Sequence, residues 1–234
     1  YDFGTGVCLS VTGPGVAGGR AVDDMVSLID LAPTFLEAAG VAPPATMTGR
    51  SLWPILRSTK TGLVDPGRDC VYTGRERHVE NARADFMPYP QRAIRTRDHL
   101  LIVNFRPDRW PLGDPYRLND GPEPTINELE NTTRVTLPDE DAGPTKAWLV
   151  GVRDTEQWRA HFNKVYGKRP EVELYDLRND PDEMHNLADD PAYRDVRNQL
   201  KNRLFAELER TDDPRLIDDG RFYETPPMAG PLKH

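Results

Sequence analysis

Residues 26–40 read VSLIDLAPTFLEAAG, and this stretch does most to set the fold that the sequence predicts. Asp30 is a residue type that caps helices, Pro33 is tolerated in a first helical turn, and Gly40 can end the helix. The stretch therefore predicts an amphipathic helix. Four apolar residues fall on one side of this helix at helical spacing: Leu28, Leu31, Phe35 and Ala38.

Shorter elements flank this helix. Residues 7–11 form a mostly apolar run bounded by glycines, which predicts a buried strand. A second short helix is expected from Ser51, with Pro54 still in its first turn. Residues 70–73 have the composition of another strand.

The second half of the chain predicts a small antiparallel sheet. Residues 92–96 and 100–105 are expected to pair as a hairpin around Arg97 and Asp98, and residues 173–177 form a further strand. The helix at 191–210 starts after Asp190, with proline at its first position. Its apolar stripe would pack on the hairpin sheet: Tyr193, Val196, Leu200, Leu204 and Leu208.

The remaining segments are less regular. Residues 106–145 are rich in Pro, Gly and Asp, with one short helix expected near 126–130. A further helix is expected within 155–165. The tail from Thr211 onward is polar and proline-rich, and we expect it on the surface.

Composition excludes some functions. The 234 residues carry a formal net charge of −8, which argues against a nucleic-acid-binding surface because such surfaces need clustered, uncompensated Lys and Arg. A locally basic pocket for an anion stays possible. No apolar run approaches the ~18 residues that cross a bilayer, so no membrane span is expected. Because the chain opens on Tyr1 rather than Met, we expect its true beginning to be missing.

No catalytic or metal-binding group is evident in the sequence. Cys8 and Cys70 have no metal-type spacing, and we expect two buried free thiols, with a disulfide or a reactive thiol as alternatives. None of the five histidines pairs with another at ligand spacing. Acidic pairs such as Asp189 and Asp190 are most simply solvated turns and helix starts. We therefore expect no catalytic residue and no metal ligand within this chain.

Three stretches resemble the sulfatase family of the alkaline phosphatase superfamily. VSLIDLAPTFLEAAG with GRSL at 49–52 is similar to a segment near the end of the family's large domain. ELYDL at 173–177, with NDPDE at 179–183, resembles the family's C-terminal signature. YDFGTGV at 1–7 resembles the strand that follows the family's sulfate-contacting lysine.

The resemblance implies an α/β architecture in two parts. Residues 1–85 would be the end of the large sulfatase-like α/β domain. Residues 86–234 would form a C-terminal α+β subdomain, in which an antiparallel sheet is covered by the helix at 191–210.

The resemblance also implies a mechanism whose parts lie elsewhere. Sulfatases convert Cys or Ser in a Cys/Ser-x-Pro-x-Arg motif to formylglycine and use a divalent cation, usually calcium. Neither Cys8 nor Cys70 begins that motif. We therefore expect the full-length parent to hold both cofactors, and this fragment alone to bind none and to be inactive.

Looser matches point to the heparan N-sulfatase (sulfamidase) branch: HVE at 78–80, YPQR at 89–92, RTR at 95–97, INEL at 126–129 and NTT at 131–133. In that branch the region resembling residues 75–80 lies near the mouth of the substrate pocket. Arg77 and His78 would then contact an anionic sugar, and Glu80 would accept a hydrogen bond or pair with a sugar ammonium group. The alternative is a solvated charged loop with internal salt bridges.

The expected function is the C-terminal part of a sulfatase that hydrolyses sulfate esters or sulfamates on glycans, with N-sulfoglucosamine as the expected sugar. Its partners would be a sulfated sugar or glycosaminoglycan and the missing N-terminal part of the same chain. By resemblance the parent would be exported, to the periplasm or the medium, or lysosomal. Two alternatives stay open: a non-catalytic sulfatase-like module, and a phosphonate or phosphate hydrolase of the same superfamily.

Overall fold

The computed structural model describes residues 1–225, which leaves the end of the proline-rich tail outside the described residues. The chain divides into two compact units, each made of three segments. The first unit contains Tyr1–Thr73, Ala93–Ile102 and Glu173–Thr211, and the second contains Gly74–Arg92, Val103–Val172 and the residues from Asp212 onward. The expected division at residue 85 concerns the full-length protein and stays a prediction.

A four-stranded antiparallel sheet has its strands in chain order, which confirms the predicted sheet. The strands are β1 (Cys70–Arg75), β2 (Gln91–Thr96), β3 (His99–Asn104) and β4 (Val172–Asp176). Five consecutive residues of β3 are buried, so both of its faces are covered, as expected for a central strand. In the first unit, one apolar cluster joins three of the strands: Ala93, Leu100, Ile102 and Tyr175, with Leu177 beside them.

The helix predicted from residues 26–40 is present as α2 (Leu31–Ala38), preceded by a 3₁₀ turn at Leu28–Asp30. The Asp30 side chain does not cap α2, contrary to expectation. Its carboxylate instead accepts hydrogen bonds from the backbone N–H groups of Ser27 and Arg50, at 3.1 and 2.8 Å. It also pairs with the buried Arg68 guanidinium at 2.8 Å.

The packing of the 49–52 segment against this turn and α2 explains its GRSL sequence. Gly49 lies so close to the 3₁₀ turn that an added Cβ would sit 2.2 Å from the carbonyl oxygen of Ile29. The hydroxyl of Thr34 on α2 accepts a hydrogen bond from the backbone N–H of Leu52 at 2.7 Å. α3 (Trp53–Arg57) follows, with Pro54 in its first turn as predicted.

The apolar side of α2 is largely exposed. Leu28 and Phe35 are 60% and 66% exposed, whereas the buried residues of the helix are Pro33 and Thr34. The physical reason is that α2 turns its Thr34 side toward the 50–55 segment. The apolar stripe therefore faces outward.

The N-terminal predictions were wrong. Asp2–Thr5 forms a helical turn, α1, and residues 7–11 are exposed and outside any strand. A strand persists only when neighbouring strands bond its backbone groups, and no strand in the described part of the chain pairs with residues 7–11. Cys8 lies in this exposed segment and Cys70 is half-buried, so both thiols are free but not both buried.

The helix predicted at 191–210 is confirmed as a 3₁₀ turn, Pro191–Tyr193, followed by α7 (Arg194–Arg210). The Asp190 carboxylate caps it by accepting from the backbone N–H of Ala192 at 2.9 Å. The stripe is buried at Leu200, Leu204 and Leu208. Nη2 of Arg203 lies 3.2 Å from Sγ of Cys70, which places the helix beside the start of β1.

The second unit contains three packed helices: α4 (Ile126–Asn131), α5 (Pro144–Val152) and α6 (Arg159–Tyr166). α4 and α6 agree with the predicted helical segments, whereas α5 was missed. The core between them is apolar: Leu118, Leu129, Leu137, Ala147, Val150, Phe162 and Tyr166. A last helical turn, α8 (Arg221–Glu224), follows two 3₁₀ turns at Pro214–Leu216 and Asp218–Gly220.

Candidate substrate-recognition segment

The segment expected to contact substrate follows directly from β1, whose last residue is Arg75. The backbone carbonyl of Glu76 accepts a hydrogen bond from the N–H of Tyr89 at 2.7 Å, which fixes the start of the segment. The Arg75 side chain turns inward, where Nη2 donates to the carbonyl of Pro111 at 2.9 Å. Burial lowers the pKa of the Arg75 guanidinium.

Arg77 is half-buried and bound to backbone carbonyls. Its Nη2 lies 2.5 Å from the carbonyl oxygen of Phe86 and 3.5 Å from that of Tyr223. Nε is buried, with no hydrogen-bond partner among the described residues. Burial lowers the pKa of this guanidinium, although Glu224 and Glu76 act in the opposite direction.

His78 and Glu80 face outward. The His78 side chain is 65% exposed, and its Nδ1 lies 3.8 Å from a carboxylate oxygen of Asp139. Glu80 is exposed as well. Between them, the N–H of Val79 donates to the Asp139 carboxylate at 2.8 Å. The segment therefore presents one imidazole and one carboxylate to solvent, while Arg77 is half-buried.

A buried ion pair lies beneath this segment. The Arg83 guanidinium donates to the Asp139 carboxylate at 2.7 Å and to the carbonyls of Trp110 and Pro111 at 2.7 and 2.9 Å. Asp85 and Phe86 both have left-handed backbone conformations, with φ of 53° and 57°. Such conformations cost of order 1–3 kcal/mol each and persist only where the surroundings impose them.

The sequence did not indicate four residues that organise this segment: Arg83, Asp139, Arg215 and Glu224. They were not candidates because each lies in a charged or proline-rich stretch without periodicity. Arg92, the last residue of the YPQR match, forms ion pairs at 2.8 Å with Glu76 and 2.6 Å with Asp213.

The part of the chain that the structure describes contains no set of side chains that could bind a metal ion. Within residues 1–225 no group of three or more His, Cys, Asp or Glu side chains is arranged to hold a metal ion. The same residues contain no helix with the length and apolar composition that a bilayer crossing requires.

Comparison with known proteins gives this fold a family. A model of the C-terminal region of N-sulphoglucosamine sulphohydrolase matches residues 1–139 and 145–210. Human N-sulphoglucosamine sulphohydrolase is 28% identical over 207 residues, which cover 84% of this chain and 34% of that protein. An ulvan-active sulfatase from Formosa agariphila is 25% identical over 196 residues, covering 83% and 31% respectively.

Two further likenesses agree with this. A solved 2-O GAG sulfatase has a TM-score of 0.50 and 21% identity, covering 87% of this chain and 29% of that one, which shows the fold alone. A Drosophila melanogaster homolog named as an extracellular sulfatase is 38% identical over 65 residues, 28% of this chain and 6% of that protein.

The fold and these matches define a C-terminal domain of a sulfatase. More particularly, the chain belongs to the family of N-sulphoglucosamine sulphohydrolase C-terminal domains. This confirms the family and the fold class that the three sequence stretches predicted. The chain spans about a third of the length of human N-sulphoglucosamine sulphohydrolase and of the ulvan-active sulfatase, 34% and 31% respectively.

Proposed function

We propose that this chain is the C-terminal part of an enzyme that hydrolyses sulfate esters or sulfamates on glycans, with N-sulfoglucosamine as its sugar. The single observation that carries the proposal is the family match over residues 1–139 and 145–210. That match covers the candidate segment at 75–80, all of the first expected part, 1–85, and most of the second, 86–234.

In this proposal the segment contributes one wall of the substrate pocket. His78 and Glu80 are exposed and lie on a segment held from below by Asp139, so both can meet a ligand without unfolding anything. Arg77 supplies positive charge for an anionic sugar, because a guanidinium is planar and matches sulfate oxygens well.

The reacting groups belong to the remainder of the parent protein. Formylglycine would supply the hydrated aldehyde that attacks sulfur, and calcium or another divalent cation would stabilise charge on the sulfate oxygens. The described residues offer no ligand set for that cation, so we assign none of its ligands to this chain. The chain alone is expected to be inactive.

The remainder of the parent also gives a role to the exposed apolar side chains of the first unit. Large apolar patches on a monomer mark interaction surfaces. We assign them to contact with the rest of the large domain: Phe3, Val7, Leu28, Ile29 and Phe35. Export or a lysosomal location is part of the same proposal, supported by the extracellular relative.

The test is an assay of the full-length parent, produced together with a formylglycine-generating system. N-sulfated and O-sulfated glucosamine are supplied separately, and the present chain alone serves as the inactive control. Release of sulfate from the N-sulfated sugar supports the proposal. Cleavage of O-sulfate alone rejects the sulfamate part, and hydrolysis of phosphate or phosphonate esters alone rejects sulfatase activity. The absence of any hydrolysis would identify a non-catalytic module.

A further inference from the structure

The polar tail that follows α7 is not a simple surface segment. Residues 213–224, which we call the strap, contain two 3₁₀ turns and α8 and lie within the second unit. The Arg215 side chain at the centre of the strap is 1% exposed. A buried guanidinium is strongly destabilising unless it is paired, so the contacts of Arg215 define what the strap does.

Arg215 connects the strap to the candidate segment. Its Nη1 donates to Glu224 at 2.7 Å, and its Nε and Nη2 both reach the Glu76 carboxylate, Nε at 3.2 Å. Gly220 makes room for this side chain, because it has φ of 74° and an added Cβ would lie 2.2 Å from Nη1 of Arg215.

Two further arginines, Arg92 and Arg109, pair with the same two carboxylates, and Arg92 also pairs with Asp213. Arg92 binds Asp213 through Nε at 2.6 Å and Glu76 through Nη2 at 2.8 Å. Arg109 binds the second carboxylate oxygen of Glu224 at 2.8 Å. Burial tends to raise the pKa of Glu224, but its hydrogen bonds with Arg109 and Arg215 outweigh burial, and the pKa lies below its usual range.

Arg77 differs from these arginines in the groups that it contacts. It follows Glu76 directly, and its Nη2 meets the carbonyls of Phe86 and Tyr223, the latter within the strap. No carboxylate in the described residues forms an ion pair with Arg77. Carbonyl oxygens orient a guanidinium through its hydrogen-bond donors without cancelling its charge. The strap thus contacts Arg77 through the Tyr223 carbonyl, at 3.5 Å, without forming an ion pair with its guanidinium.

We propose that the strap positions Arg77 for the anionic group of a sugar substrate, with Arg215, Glu76 and Glu224 as positioning residues. The inference rests on the proposed function for its ligand and on the contacts above for its mechanism. Loss of Arg215 removes one of the two arginines that pair with the Glu76 carboxylate and leaves Arg92 as the other. It therefore weakens the restraint on Glu76, the residue directly before Arg77. A small displacement of a substrate-positioning group is enough to cost a large factor in turnover or binding.

The experiment uses the full-length parent and the variant Arg215→Gln. We expect KM for N-sulfoglucosamine to rise about tenfold or more, with kcat changed by less than about threefold, because the lost contact concerns binding. Hydrogen exchange of residues 76–87 should become faster in the same variant. Arg215→Lys should restore part of both properties, since one ammonium group keeps the charge but not the two-sided fork.

Arg117→Gln is the matched control, because it removes an arginine–glutamate pair with Glu128 in the same unit. If Arg215→Gln does not fold, Glu224→Gln is the milder second variant. The proposal is overturned if exchange at 76–87 changes no more than in the control, or if it changes while KM does not. A wild-type parent that releases no sulfate rejects the proposed function, and the exchange result then decides by itself whether the strap holds the segment.

Discussion

The guanidinium of Arg83 lies 2.7 Å from the carboxylate of Asp139, and both side chains are almost completely buried. Asp139 also accepts a hydrogen bond from the backbone N–H of Val79, at 2.8 Å. The pair therefore joins the candidate segment to the loop at Trp110, whose carbonyl Arg83 also binds. Removing one partner would leave the other charge buried and alone, and that penalty usually exceeds the net stabilisation from the pair itself.

We expect Asp139→Leu to lower the free energy of unfolding by about 3–5 kcal/mol, because it leaves the buried Arg83 charge without its carboxylate partner. Urea denaturation followed by tryptophan fluorescence measures this. Glu207→Gln is the control, since its partner Arg210 is 57% exposed, and such surface pairs contribute about 0–1 kcal/mol. Equal losses in the two variants would contradict a structural role for the buried pair.

The exposed residues of the candidate segment should affect binding and not stability. In the full-length parent, His78→Ala and Glu80→Ala are each expected to raise KM for a sulfated sugar by about 10- to 150-fold, the loss of one hydrogen bond to a charged group. Both side chains are exposed, so the melting temperature should stay within about 1–2 °C of wild type. Unchanged KM in both variants would favour the solvated-loop alternative.

Local signals explain why much of the fold was predictable. The apolar run Leu100–Val103, the Asp190 cap and the Leu200, Leu204 and Leu208 stripe act over a few residues, and all three predicted the observed elements. The stripe on α2 obeyed the same pattern, but periodicity predicts an apolar face without saying which residues cover it. The same limit applies to residues 7–11.

The organisation of the candidate segment was not predictable for a different reason. Arg83 and Asp139 are separated by 56 residues, and Arg215 and Glu76 by 139. No helical or strand period connects residues so far apart, and each lies in a stretch that already looked charged and solvated. Only the family resemblance singled out Arg77, His78 and Glu80, and their roles stay predictions.

Lys146 offers a test of the second unit's core. Its ammonium group is buried and donates to three backbone carbonyls: Thr133, Leu137 and Glu140, at 3.2, 3.1 and 2.8 Å. Lys146→Met keeps the apolar stem but leaves these carbonyls without their donor. We expect the free energy of unfolding to fall by about 2–4 kcal/mol in urea denaturation. A loss below about 0.5 kcal/mol, the range of ordinary surface substitutions, would show that water replaces the ammonium group.

The acid titration of Glu128 tests the start of α4. Hydrogen bonds from Arg117 and from Thr125 lower the pKa of Glu128 to about 2, against an ordinary 4.5. A carboxyl group with a lowered pKa stabilises the folded state above its unfolded pKa, and this contribution is lost as pH falls from about 4.5 to about 2. In Arg117→Gln the pKa should move back toward 4.5, measured by NMR titration of the side-chain carboxyl. An unchanged value would assign the shift to Thr125 alone.

The exposed stripe of α2 predicts how the chain behaves without the rest of its parent. Phe35 is 66% exposed, whereas its neighbour Thr34 is buried, so Phe35→Ser removes apolar surface without opening a cavity. We expect the isolated chain to aggregate less and to bind less of a hydrophobic dye, with its melting temperature nearly unchanged. Leu204→Ser is the control, because that side chain is fully buried, and its loss should destabilise the fold and increase aggregation.

In the full-length parent the effect of the first substitution should differ. There Phe35→Ser should destabilise the protein, because the proposed contact with the large domain would lose an apolar side chain. If Phe35→Ser is neutral in the parent, α2 does not face the large domain.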